Sequence, residues 1–125
     1  MEFEFILTNS DNLSTHEKRI LSGLCINKSF GAWVWKENVL ISICKENDKI
    51  IGWCGFKEHP YKKPDCQIAV YVKKQYRGHG IGKKLVNMLM DKNKNVEVCC
   101  APREDFPQGF KIFSKYENIR IYKSM

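Results

Sequence analysis

VYVKKQYRGHGIGKKLV, residues 70 to 86, changes character twice within its length. It begins as an apolar strand and passes through a basic turn with glycines at 78, 80 and 82. It then continues with Ile81, Leu85, Met88 and Leu89 at the i, i+4, i+7, i+8 spacing of an amphipathic helix. A glycine-rich turn between a strand and a helix leaves backbone N–H groups bare at the helix N-terminus, where the positive end of the helix dipole also lies. Arg77, Lys83 and Lys84 add side-chain charge at the same place. A turn that only lets a strand and a helix pack closely has no use for such cations. The stretch is therefore predicted to cradle phosphate.

Spacing narrows the kind of cradle. A Walker A loop needs a glycine five residues before its Gly-Lys pair, and position 77 is arginine. A dinucleotide fingerprint needs a small residue where Lys83 stands. What remains resembles the acetyl-CoA loop of the GNAT superfamily of N-acetyltransferases, whose pattern is Gln or Arg, two residues, Gly, one residue, Gly or Ala. Arg77-Gly78-His79-Gly80-Ile81-Gly82 satisfies it, and Gln75 to Gly80 satisfies it again. The preceding VYV and the following KKLV are also similar to the family.

The composition agrees with a single enzyme-sized unit. A chain of 125 residues suits one domain with one core, and 43% hydrophobic residues are enough to build it. No apolar run approaches the roughly eighteen residues of a membrane span. The acidic, alternating start MEFEFILTNS lacks the basic leader of a signal peptide, so a cytoplasmic protein is expected. Six cysteines, at 25, 44, 54, 66, 99 and 100, include no Cys-x-x-Cys pair. Cys54, His59 and Cys66 come nearest to a zinc set, but their spacing is irregular and no fourth ligand is near. The expectation is no metal, with reduced thiols serving as small hydrophobes and none as nucleophile.

The charge is placed where a phosphorylated ligand would want it. The net +7 falls between Lys57 and Lys94, which hold ten Lys or Arg against three acids. The remainder carries eleven of each sign. Coenzyme A brings about four negative charges, matching a local basic excess.

Taken in order, Phe3, Phe5 and Leu7 alternate as a first strand. Ser14 and Glu17 form a capping box for a helix with Ile20, Leu21, Leu24 and Cys25 on its apolar face, ending near Asn27. Phe30, Trp33 and Trp35 follow in a loop, as core or as walls of an acceptor groove. Val39–Cys44 and Lys49–Phe56 read as strands joined by a Glu46-Asn47-Asp48 hairpin signal. EHPYKKPD is a polar loop, and Cys66–Val72 is the strand entering the glycine turn. The helix after that turn should stop near Asn93, and Val96–Ala101 is a strand halted by Pro102. Asp105 caps a last helix carrying Phe106, Phe110 and Phe113, and Ile119, Ile121 and Tyr122 close the chain as a strand. The result is an α/β fold with a mixed, mostly antiparallel sheet flanked by helices. The order of elements is similar to that of GNAT proteins over nearly the whole chain, 1–125 forming one domain. Relatives end in two antiparallel strands, so the visible single strand implies a shortened pair or an edge borrowed from a partner, as in a homodimer.

The resemblance implies a splayed cofactor cleft between the fourth and fifth strands, with acetyl-CoA as cosubstrate. It implies that Val70, Tyr71 and Val72 pair with the pantetheine arm, one N–H polarising the thioester carbonyl. It implies that Arg77, Gly78, His79, Gly80, Ile81, Gly82 and Lys83 hold the pyrophosphate. It implies an amine as the acceptor, without specifying which. Relatives often begin the cofactor strand with a glutamate that handles the amine proton; here Gln67 stands there and cannot act as a base. Glu58, His59 and Asp65 are the substitutes to test. Ser114 stands where relatives carry a tyrosine acid, and Asn118 where they carry glycine. Three functions compete: an N-acetyltransferase acting on a primary amine, an RNA-directed acyltransferase of the aminoacyl-tRNA type, and a catalytically idle CoA-binding or protein-interaction module. The basic excess permits nucleic acid without requiring it, and the first function is favoured.

Overall fold

The computed structural model describes residues 2–24, 38–56, 68–94, 98–100 and 112–121. Its strands are β1 (Glu4–Asn9), β2 (Leu40–Glu46), β3 (Lys49–Phe56), β4 (Ile68–Val72), β5 (Val98–Cys100) and β6 (Ile119–Ile121). Its helices are α1 (Thr15–Leu24) and α2 (Ile81–Asp91), with 3-10 turns at Ser10–Asn12 and Lys74–Tyr76. The end of the first helix near Asn27, the aromatic loop and the Asp105 cap lie outside the described residues. Of the last helix, Ile112 and Phe113 are seen in helical backbone.

β1 to β4 form one antiparallel sheet in sequence order, and β5 pairs with β6 in parallel as a second sheet. Parallel pairing needs a crossover of about a dozen residues or more, and the stretch 101–118 supplies that length. β4 and β5 are neighbours, yet among the described residues no ladder joins them. This is the splayed opening expected between the fourth and fifth strands.

Strand periodicity sorts the side chains into two layers. Ile41, Ile43, Ile50 and Trp53 pack with Leu21 of α1 on one face. Cys44, Ile51, Cys54 and Phe56 pack with Ile81, Leu85, Val86 and Leu89 of α2 on the other. β3 is covered on both faces, so everything from Ile50 to Phe56 is buried. β1, at the edge, turns Phe5 and Leu7 toward the α2 layer and Ile6 toward the α1 layer. Ser42 ties helix to sheet, its buried hydroxyl donating to the Leu85 carbonyl at 2.7 Å.

Two local devices set the register of the β2–β3 hairpin. Asn47 and Asp48 take φ values of 51° and 64°, the left-handed pair that a two-residue turn matching strand twist demands. Cys44 lies opposite Gly52 but Lys45 lies opposite Ile50, so Ile51 is an extra residue in a bulge. The bulge sends Ile51 into the same layer as Cys44 and Cys54.

The capping box forms as the spacing implies. The Ser14 N–H donates to Glu17 Oε1 at 3.0 Å, and the Glu17 N–H donates to Ser14 Oγ at 3.1 Å. Lys45 Nζ lies 3.2 Å from the second Glu17 oxygen. The Ser14 N–H above all, helped by Lys45, holds the Glu17 pKa below its usual value against the opposing push of burial. A depressed carboxyl stabilises the fold above its unfolded pKa and loses that contribution as pH falls through the folded one. Glu17→Gln is therefore expected to destabilise the chain at pH 7 by about 0.5–1 kcal/mol. The difference from wild type should fade as pH drops below about 4. Urea unfolding of both proteins at several pH values measures it, and a gap that persists unchanged into acid refutes the assignment.

Candidate cofactor site

The glycine turn is built from its two ends inward. At its start β4 hands over to the Lys74–Tyr76 turn, where the Lys73 N–H still donates across the sheet to the Ile51 carbonyl at 2.9 Å. The Tyr76 N–H donates to Lys73 O at 2.9 Å, and the Arg77 N–H to Lys74 O at 3.3 Å. Gly78 and Gly80 then take φ of +87° and +76°, and a methyl group placed at either would meet nothing within 4 Å. Glycine is used here for backbone conformation and openness, not for close packing. At the far end Ile81 is 2% exposed and anchors α2 in the core.

Gly80 is the N-cap of α2 and has no side chain to cap with. The first bond into the helix runs from the Lys84 N–H to the Gly80 carbonyl at 3.1 Å. The N–H groups of Ile81, Gly82 and Lys83 thus have no intrahelical acceptor, and none is found for them or for Gly78 to Gly80 among the described residues. Six consecutive donors at the positive end of an eleven-residue helix suit an anion. Residues 77 to 80, Lys83 and Lys84 are exposed. The cations divide their work. Arg77 Nε donates to the Val72 carbonyl at 3.1 Å, and the Lys84 ammonium lies 4.2 Å from the Phe5 ring centroid, on the β1 side.

β4 presents an open edge beside this turn. Antiparallel pairing alternates the direction of backbone polar groups along a strand. Because Lys73 bonds toward β3, Tyr71 shares its direction, and Val70 and Val72 turn their N–H and C=O groups to the open edge. The Arg77 contact to the Val72 carbonyl agrees with that phase. Of Val70, Tyr71 and Val72, then, the two valines turn their main chain to the open edge, where the Val72 carbonyl already accepts from Arg77. Their side chains lie near Gly82: a methyl there would stand 3.7 Å from Val70, 3.8 Å from Val72 and 4.0 Å from Ile112.

The expected chemical groups fare differently. Glu58, His59, Asp65 and Gln67 lie outside the described residues. Ser114 is exposed, while its neighbour Phe113 is buried in the α2 layer. Tyr116 is half-buried and donates its hydroxyl to Asn87 Oδ1 of α2, with burial raising its pKa. Asn118 donates to the Asn93 carbonyl at 3.0 Å, fastening the chain end to the end of α2. Burial pushes the Cys44 thiol up to about 11 and the Cys54 thiol up as well, so both are poor nucleophiles. Among the described residues no group of His, Cys, Asp or Glu is arranged to hold a metal, and no helix is long and apolar enough to cross a membrane. Tyr76 and Glu46, which meet beside the turn, carry no motif signal.

Comparison with known proteins places this arrangement. The model of the acetyltransferase (GNAT) family matches residues 11–102. No curated sequence relative matches significantly. Among solved structures, ElaA of Escherichia coli superposes with a TM-score of 0.69 at 12% identity, over 90% of this chain and 86% of its own. The ribosomal-protein-alanine N-acetyltransferase of Brucella melitensis biovar Abortus 2308 gives 0.61 at 20% identity, over 91% and 90%. YncA of Salmonella typhimurium, a putative acetyltransferase solved with acetyl-CoA, gives 0.64 at 12% identity, over 92% and 78%. With a family match across most of its length and a glycine turn and splayed strands to go with it, the chain belongs to the GNAT acetyltransferase family.

Proposed function

We propose that residues 1–125 form a single N-acetyltransferase domain that moves an acetyl group from acetyl-CoA to a primary amine of a small molecule or protein. One observation carries this beyond family membership: six unpaired N–H groups, Gly78 to Lys83, end beside the open edge of β4. Acetyl-CoA, when bound, supplies a thioester whose acyl carbon an amine can attack directly, so no covalent enzyme intermediate is needed.

The chain's own residues divide the task. The N–H groups of Gly78 to Lys83 hold the pyrophosphate, the Arg77 N–H being taken by Lys74, with the Lys83 and Arg77 side chains adding charge. The edge groups of Val70 and Val72 pair with the pantetheine arm as a peptide would pair with a sheet edge. An N–H of that edge donates to the carbonyl oxygen as it gains negative charge. Glu58, His59 or Asp65 receives the amine proton, Gln67 being unable to. Ser114 donates a hydrogen bond to the departing sulfur; a thiol with pKa near 8.5 takes its proton from water without great cost.

Incubation of the protein with cell extract and acetyl-labelled CoA tests the reading. The expected result is label in an amine-bearing small molecule or protein. Label confined to RNA would replace the amine reading with the RNA-directed one. Absence of all transfer by protein that binds CoA would leave an idle module and overturn the enzyme.

A further inference from the structure

The glycine turn has little to hold it in the middle. Gly78 and Gly80 touch nothing on the side where a methyl group would stand, and residues 77 to 80 are exposed. The positions of their N–H groups are therefore set from around them, by α2 on one side, by Tyr76 and the Arg77–Val72 bond on the other, and by Phe3 against His79.

Tyr76 is fastened in three ways. Its ring packs against the α2 layer and meets Phe3 edge to face at 6.3 Å and 83°. Phe3 also lies 6.2 Å from His79, so one residue ahead of β1 touches both the anchor and the turn. The Tyr76 hydroxyl donates to Glu46 Oε1 at 3.0 Å. Glu46 is the last residue of β2, and its backbone is locked by the two-residue hairpin that pairs it with Lys49. Its other oxygen, Oε2, is buried and has no hydrogen-bond partner among the described residues. An acidic residue kept this way is costly unless its remaining bond matters.

We infer that Glu46 and Tyr76 form a latch that positions the 78–83 turn for the phosphates of its ligand. The inference rests on the CoA reading above. The chemistry is a charge-assisted hydrogen bond, which is stronger than a neutral one. The nearby carboxylate also raises the Tyr76 pKa, keeping the hydroxyl a donor. Neither side chain is assigned contact with ligand; both act through the backbone of the turn. Without the hydroxyl, Tyr76 can keep its ring contacts but not its fixed point, and the donors of the turn must be ordered at the moment of binding.

Tyr76→Phe and Glu46→Gln are the variants, with CoA and pantetheine as ligands. Pantetheine lacks the phosphates and meets only the β4 edge. Tyr76→Phe is expected to weaken CoA binding about tenfold, measured by calorimetry. Pantetheine binding, followed by amide NMR at millimolar concentration, should stay within about twofold. Glu46→Gln keeps a neutral acceptor for the hydroxyl and loses only the charge assistance, so its CoA affinity should fall between those of wild type and Tyr76→Phe. Equal loss for both ligands would reduce the pair to a general stabilising contact and overturn the latch, as would unchanged CoA affinity in Tyr76→Phe. If Tyr76→Phe fails to fold, Glu46→Ala, which removes the acceptor, carries the same comparison. Wild-type protein that is folded yet binds no CoA would overturn the parent reading instead, a result the variants cannot mimic.

Discussion

Gly82→Glu is expected to abolish the rise in melting temperature that CoA gives the native protein. A ligand that binds only the folded state at a hundredfold excess over its dissociation constant stabilises by about 2.7 kcal/mol. At position 82 the new side chain starts among Val70, Val72 and Ile112, beside the free N–H groups of the first turn of α2. A carboxylate there repels phosphate and is itself an anion that those donors can bind. The same attraction makes Glu tolerable at a helix N-terminus, so the variant should fold. Gly82→Ala separates charge from backbone effects. Gly82 is helical without a positive φ, and a methyl meets its neighbours at ordinary contact distances. Alanine should therefore preserve the fold, aided by up to about 1 kcal/mol of helix propensity. Thermal unfolding of the three proteins with and without millimolar CoA decides the matter. A full CoA shift in Gly82→Glu would move the anion site away from this turn.

Trp53→Ala is expected to cost about 3–5 kcal/mol of unfolding free energy. Trp53 is 0% exposed and lies at the centre of the α1 layer. Its indole N–H donates to the Leu21 carbonyl at 3.1 Å, and its ring lies 6.0 Å from that of Tyr71. Truncation thus opens a large cavity and takes a donor from α1 at once. Against a total stability of roughly 5–15 kcal/mol, such a loss leaves little margin. Trp53→Phe keeps most of the volume and should lose clearly less. The layer matters for interpretation. Trp53 faces α1, whereas Ile81 and Gly82 at the head of α2 sit against the opposite face. Variants that remain folded should therefore bind CoA as wild type does. Urea unfolding measures the cost, and a loss below about 1 kcal/mol would contradict the burial on which it rests.

The features legible in the sequence are those whose cause lies within a few residues. The capping box needs Ser14 and Glu17 three apart, and both bonds form. The Asn47-Asp48 turn needs two residues that tolerate positive φ. The glycine turn needs Gly78 and Gly80 next to a helical repeat, so a donor row over 77–83 is legible in the sequence, although the fold takes its first member, the Arg77 N–H, for the Lys74 carbonyl. Elements and their order followed for the same reason, since hydrophobic period is a local property.

The remainder required the tertiary structure. Ile50 to Phe56 is a continuous apolar run because β3 is covered on both faces, and such a run does not say which residue meets α1 and which meets α2. The bulge at Ile51 decides that phase, and it depends on pairing with β2. Which of Val70, Tyr71 and Val72 offers its main chain to the cleft depends on the register with β3. The Tyr76–Glu46, Trp53–Leu21 and Ser42–Leu85 bonds join residues 30, 32 and 43 positions apart. No periodicity or motif specifies such pairs, because their partners are chosen by how layers stack. Composition and spacing set what each segment can become. Burial on two faces of one sheet sets which groups end within hydrogen-bond distance of each other.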